Sequence, residues 1–239
     1  GTLVRKQPLG EEGGIVVLLL IFMAIFAPMI TGYHLEEVSL EHMLVAPGSD
    51  FLLGSDQFGR DIFTRILYGA RTALFIGFVA SFVGTSIGLV LGVTSAYYGG
   101  KFDLLFQRVM DVMLAFPLII MALVIVAVFG RGTENVIIAI AIPFIPKAAR
   151  IVRSSALAIR EIPYVDAARA NGYSSARIIL RHMVPNVMAP FLIILSACLG
   201  QAILLEASLS YLGLGVQEPT PSWGLMLQGG AEEFARSAP

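Results

Sequence analysis

The sequence predicts a polytopic α-helical membrane protein, and three observations carry that prediction. Hydrophobic residues make up 56% of the 239 and charged residues only 14%, against roughly half and a quarter in soluble domains. The mean hydropathy is +0.81. The charges are also unevenly spread, leaving windows that approach the ~18–20 apolar residues a helix needs to cross a bilayer core. The same figures exclude disorder, which requires low hydrophobicity and high charge. A net charge of -1 leaves no electrostatic footprint for nucleic acid. Continuous apolar runs exclude a transmembrane barrel, which shows short alternating segments. Cys198 is the single cysteine, so no disulfide forms within the chain.

The first span is expected at residues 15–31, after a tail at 1–14 that holds Arg5 and Lys6. A cleavable signal peptide is the rival reading of that pattern. Glu11 and Glu12, where such peptides lack acids, and Pro28 directly after Ala27 argue for a retained helix. Residues 32–72 form a polar external segment, and the membrane-spanning core is expected at 73–212. The second span, Ala73 to Tyr97, carries Ala80, Gly84, Gly88, Gly92 and Ala96 at every fourth position. That stripe of small side chains is a helix-packing seam, because close approach supplies dispersion contact between membrane helices. The third span is expected from Leu105 to Phe129 and contains Asp111 and Pro117. The fourth runs from about Val136 to Ile151, loosened by Pro143 and Pro146, and the fifth from about Val187 to Leu212.

Basic residues bias the orientation. Arg5, Lys6, Lys101, Arg108, Lys147, Arg150, Arg153, Arg160, Arg169, Arg177 and Arg181 fall on one side, and only Arg60, Arg65, Arg71, Arg131 and Arg236 on the other. The richer side, with the amino terminus, is expected in the cytoplasm. Five spans then leave residues 213–239 outside. Leu225-Met226-Leu227 is too short to cross, so a further helix is expected beyond the sequence given.

The sizeable polar stretch on the inner side is 154–186. It reads as two short helices. Pro163 suits a first turn, Asp166 lies near the positive helix end, and Asn171-Gly172 is a left-handed terminator. Ser174 then caps a second helix from Ser175 to about Met183, which Pro185 ends. The first helix holds Ala167, Ala168 and Ala170 beside Asp166 and Arg169. Small side chains permit docking into a groove and the charges set register.

Asp166-Ala167-Ala168, then Gly172, Ile178-Ile179-Leu180 and Pro185, resembles the EAA loop of ATP-binding-cassette importer permeases, with Asp for Glu and the proline slightly late. The stretch from Leu53 to Asp61, Tyr68-Gly69-Ala70-Arg71, Asp111 to Pro117, Glu206 to Gly215, and Pro219 to Gly224 look like segments of the C-type permease of the dipeptide, oligopeptide and nickel group. The resemblance implies the helical bundle of a type I importer permease, with a sixth helix after the Trp223 region. It implies a second homologous permease, two cytoplasmic ATPase subunits that hold ATP and Mg²⁺, and an extracytoplasmic binding protein. It also implies a bacterial or archaeal cytoplasmic membrane, and coupling to the ATPases through Asp166, Ala167, Ala168, Arg169 and Gly172. The chain itself is expected to be non-catalytic and free of cofactors. Gly100-Lys101 is no phosphate loop, since position 95 is Ser and 102 is Phe.

Glu206, Gln201 and Asp111 are the candidates for the translocation path. Glu206 either lines that path or bonds a neighbouring helix, and Asp111 is expected to pair with Arg108 or a cytoplasmic partner. His34, His42 and His182 form no ligand-spaced pair, so no metal site is expected. Peptides are the expected cargo, with nickel chelates, glutathione, opines or sugars as alternatives. A secondary transporter is a more distant reading, disfavoured because the sequence shows no internal repeat. A membrane-embedded enzyme is disfavoured because the spans offer no convergent catalytic groups.

Overall fold

A computed structural model describes residues 8–33, 35 and 38–237. The expectations for Arg5, Lys6 and His34 lie outside those residues. The described chain is helical: α1 (Pro8–Ile30), α2 (Ile62–Tyr98), α3 (Gly100–Leu114), α4 (Leu118–Phe129), α5 (Thr133–Arg160), α6 (Pro163–Ala170), α7 (Ser175–Ile178), α8 (Met188–Tyr211) and α9 (Trp223–Ser237). Four of its helical stretches are long and apolar enough to cross a membrane, or five if α3 and α4 together form one span. The chain divides into two compact units, one of residues 1–75 and 207–239, the other of residues 76–206.

In the first unit, the loop before α2 closes on itself. Asp56 Oδ1 accepts from the Phe58 and Arg60 amides at 2.8 and 3.0 Å. Asp61 caps α2, its Oδ2 accepting from the Thr64 amide at 2.8 Å and the Thr64 hydroxyl at 2.6 Å, as a helix N-terminus requires. This cap starts α2 eleven residues ahead of the apolar run at Ala73. At 1.5 Å per residue its 37 residues reach about 55 Å, well beyond a ~30 Å hydrocarbon core. Residues 62–72, the end of the segment expected to be external, belong to this helix. Residues 223–237 form α9.

In the second unit, Gly84, Gly88 and Gly92 of α2 lie against α5. A Cβ on Gly88 would come 2.7 Å from both the Ala148 Cβ and the Ile145 carbonyl oxygen, and one on Gly92 2.5 Å from the Ala149 oxygen. Ala80 and Ala96, at the ends of the stripe, are fully buried. The two helix backbones approach this closely because α2 presents only glycine at those points. Pro143 and Pro146 do not interrupt α5, which runs unbroken for 28 residues.

The expected third span is not one helix. α3 and α4 meet at 88° across Ala115-Phe116-Pro117. Pro117 sits in an extended conformation as the residue before α4. It lacks an N–H for the preceding turn, and its ring pushes Phe116 away from helical geometry. The second inner helix also departs from expectation. It does not end at Pro185: α7 passes into a π turn (Ile179–Met183), then a 3₁₀ turn (Val184–Val187), and so into α8. Pro185 occupies the first turn of the 3₁₀ segment, where its missing N–H breaks no bond.

Candidate functional site

Helix α6 is defined by local chemistry at both ends. Pro163 occupies its first turn and Asp166 follows on the positive end of the helix dipole. At the other end the Gly172 amide donates to Arg169 O at 2.9 Å and the Tyr173 amide to Ala168 O at 3.1 Å. This pair of bonds is the Schellman arrangement. It places Gly172 at φ +74°, a conformation costly for residues with a Cβ.

The alanines of α6 divide between two faces. Ala168 and Val165 are buried in a core with Val93, Ala96, Val152, Ala156 and Ile178. Ala167 and Ala170 are exposed, together with Asp166 and Arg169. Ala168 therefore anchors the helix to its own chain. The periodicity explains it, since positions 165 and 168 share one side of an α-helix. Asp166 and Arg169 pair at 3.1 Å, and the Arg169 guanidinium lies 5.0 Å over the Tyr97 ring.

Contacts that no local motif signals hold the following turn. Tyr164 Oη donates to His182 O at 3.2 Å, and Asn186 Nδ2 donates to the same oxygen at 2.6 Å and to Tyr164 Oη at 3.1 Å. Tyr173 stacks on the His182 ring with centroids 6.0 Å apart. His182 is thus part of the scaffold below α6.

The translocation candidates separate. Glu206 is fully buried. Gln201 is exposed and its Oε1 accepts from Lys147 Nζ at 2.6 Å. Asp111, expected to pair with Arg108 or a cytoplasmic partner, pairs with Arg150, and both side chains are about half exposed. α3 packs across α5, which brings Asp111 to the α5 residue Arg150. A turn further along, Arg153 Nε donates to Asp103 Oδ1 at 2.6 Å, and the Ser95 hydroxyl donates to the same carboxylate. This tie joins α2, α3 and α5.

The first unit gathers the remaining motif segments. Glu218 accepts from Arg60 Nη1 at 2.8 Å and from Arg65 Nη2 at 3.1 Å, while Asp56 Oδ2 accepts from Arg60 Nε at 2.8 Å. Arg65 is only 2% exposed. Burial works against the Arg60 charge, but its bonds to Glu218 and Asp56 outweigh that and hold its pKa above the ordinary value. Trp223 Nε1 donates to Ile66 O at 3.0 Å, and its ring lies over Gly69, where a Cβ would come within 2.8 Å of it. A cavity of about 280 Å³ beside this cluster is lined by Asp56, Arg60, Arg65, Glu218, Met226 and Phe234 among others. Sequence reading overlooked Glu218, whose role rests on partners more than 150 positions away.

The family described as binding-protein-dependent transport system inner membrane component matches residues 84–235. The N-terminal transmembrane domain of oligopeptide transport permease C matches residues 4–47. The dipeptide transport system permease protein of Alkalihalophilus pseudofirmus is 42% identical over 99% of this chain and 77% of its own length. A putative peptide transport system permease of Brucella suis is 43% identical over 92% of this chain and 74% of its own. A glutathione transport system permease of Escherichia coli is 42% identical over 93% and 74%. Among solved structures, the inward-facing MetNI methionine ABC transporter has a chain with TM-score 0.55 at 19% identity, covering 72% of this chain and 92% of that one. That likeness is one of fold.

Proposed function

The chain belongs to the binding-protein-dependent transport system inner membrane components, a multi-pass permease subunit, and we propose that its cargo is short peptides moved inward at the expense of ATP hydrolysed by partner subunits. The observation that carries the coupling is α6. It is a helix of eight residues tethered to the core through Val165 and Ala168, with Asp166, Ala167, Arg169 and Ala170 left on the open face. A rigid, shallow, charge-marked rod of this kind suits a groove on a cytoplasmic ATPase. Its tether to α2, α5 and the turn before α8 carries displacement into the membrane helices as rigid-body motion.

Peptide as cargo is supported by the dipeptide and peptide permeases at 42% and 43% identity. The glutathione permease at 42% keeps a γ-linked tripeptide within the same reading. A second homologous permease completes the path, an extracytoplasmic binding protein delivers the solute, and the basic-rich side with the amino terminus faces the cytoplasm.

The test is reconstitution of the assembly with its ATPases and binding protein in proteoliposomes. Peptide uptake that requires ATP, together with ATPase activity stimulated by peptide-loaded binding protein, is expected. Uptake driven by a proton or sodium gradient without ATP would refute the proposal.

A further inference from the structure

The basic residues of α5 differ in what answers their charge. Arg150 meets Asp111, Arg153 meets Asp103, and Arg160 meets Glu161. Lys147 meets only a neutral amide oxygen, that of Gln201. Among the described residues no carboxylate lies within ion-pair distance of its ammonium.

Position sharpens the contrast. Lys147 is at the midpoint of the 28-residue α5, and Gln201 is near the midpoint of the 24-residue α8. An uncompensated cation on a helix apolar enough to cross a membrane is costly against lipid and is kept where water or a charged group meets it. The surface around it mixes polar and small side chains with the exposed Leu204 and Ile151. Gln201, Gly200, Ala197 and Ser196 are exposed on α8, and Arg150 and Ser154 follow Lys147 along one face of α5. At 1.5 Å per residue, Lys147, Arg150 and Ser154 extend over about 10 Å of α5, from mid-helix toward the α6 end, with Ile151 exposed among them.

We propose that Lys147, held by Gln201, receives the carboxylate of the solute as it crosses, and so makes a free carboxyl terminus a selectivity determinant of the permease itself. The inference rests on the peptide reading above. Gln201 suits the task because its amide oxygen orients the ammonium without cancelling its charge. Arg150 does not compete, since Asp111 already neutralises it.

The experiment compares uptake of one peptide as free acid and as carboxyl-terminal amide by the reconstituted full assembly. The affinity of the binding protein for each form is measured separately and factored out. The wild type is expected to favour the free acid by about tenfold, the low end for a hydrogen bond to a charged group. Lys147→Gln is expected to erase the preference and Lys147→Arg to keep it. Gln201→Glu, which supplies an internal carboxylate, is expected to erase it as well and decides the matter if Lys147→Gln does not assemble. A wild-type preference retained in Lys147→Gln or in Gln201→Glu would overturn the proposal. Loss of the permease pair in Lys147→Gln, with Gln201→Glu still favouring the free acid, would assign Lys147 to the contact between permeases. Absence of peptide uptake in any form by the wild type would instead overturn the peptide reading, and this inference with it.

Discussion

Replacing Gly172 separates what α6 needs for its own geometry from what a docked partner needs. Gly172 sits at φ +74° with nothing within 4 Å of where a Cβ would be. Within this chain, therefore, side-chain size carries no steric penalty and only the backbone conformation does. Alanine is expected to cost about 1 kcal/mol in the stability of the helix end, and asparagine less, because it tolerates the left-handed region. That 1 kcal/mol is about a fivefold shift toward a frayed terminus. Exchange protection of the Tyr173 amide, which donates to Ala168 O, reads this local cost directly. Leucine should match alanine in exchange, since the space is open. If α6 is seated in an ATPase groove, leucine should nevertheless reduce ATP-driven uptake well below the alanine variant, with membrane insertion intact. Equal uptake by the alanine and leucine variants, with normal co-purification of the ATPase, would refute the docking argument.

Further expectations concern the scaffold. Gly88→Leu should lower stability in detergent by about 2 kcal/mol or more, because its Cβ meets the Ile145 carbonyl and Ala148. Gly77→Ala should cost less, since its nearest neighbour is the flexible Ile203 side chain; thermal melts of the two variants check the order. Glu218→Gln should destabilise by about 1–2 kcal/mol, as it removes one of the two carboxylates, with Asp56, that face Arg60 and the buried Arg65. Its effect should exceed that of Glu161→Gln, whose partner Arg160 is more exposed than Arg65. Asp103→Asn should cost about 2 kcal/mol by leaving Arg153 and Ser95 without their anion. A double-mutant cycle with Arg153→Leu should return a coupling near zero if the tie does not form.

Some of this molecule is legible in short windows. The apolar runs mark the spans because partition into hydrocarbon depends on the composition of some twenty consecutive residues. The limits of α6 are legible for the same kind of reason. Pro163, Asn171-Gly172 and Ser174 act on backbone groups within four residues of themselves, and the helix begins and ends at them. Pro117 marked a disturbance in the third run, but a proline inside a membrane helix can bend it or break it. The choice of an 88° turn followed from how α3 and α4 each pack on α5.

The pairings belong to the other category. Asp111 with Arg150, Asp103 with Arg153 and Glu218 with Arg60 are separated by 39, 50 and 158 positions. Arg108, three residues from Asp111, was the natural partner by spacing and does not have that role. Which face of α6 is open was equally hidden, because Ala167 and Ala168 are chemically alike and only the direction of the core tells them apart. Hydropathy and capping are energies of neighbouring residues, so a linear string contains them. Ion pairs between helices, and the absence of an anion beside Lys147 among the described residues, arise from rotation and crossing of whole helices, and those are set only when their surfaces pack.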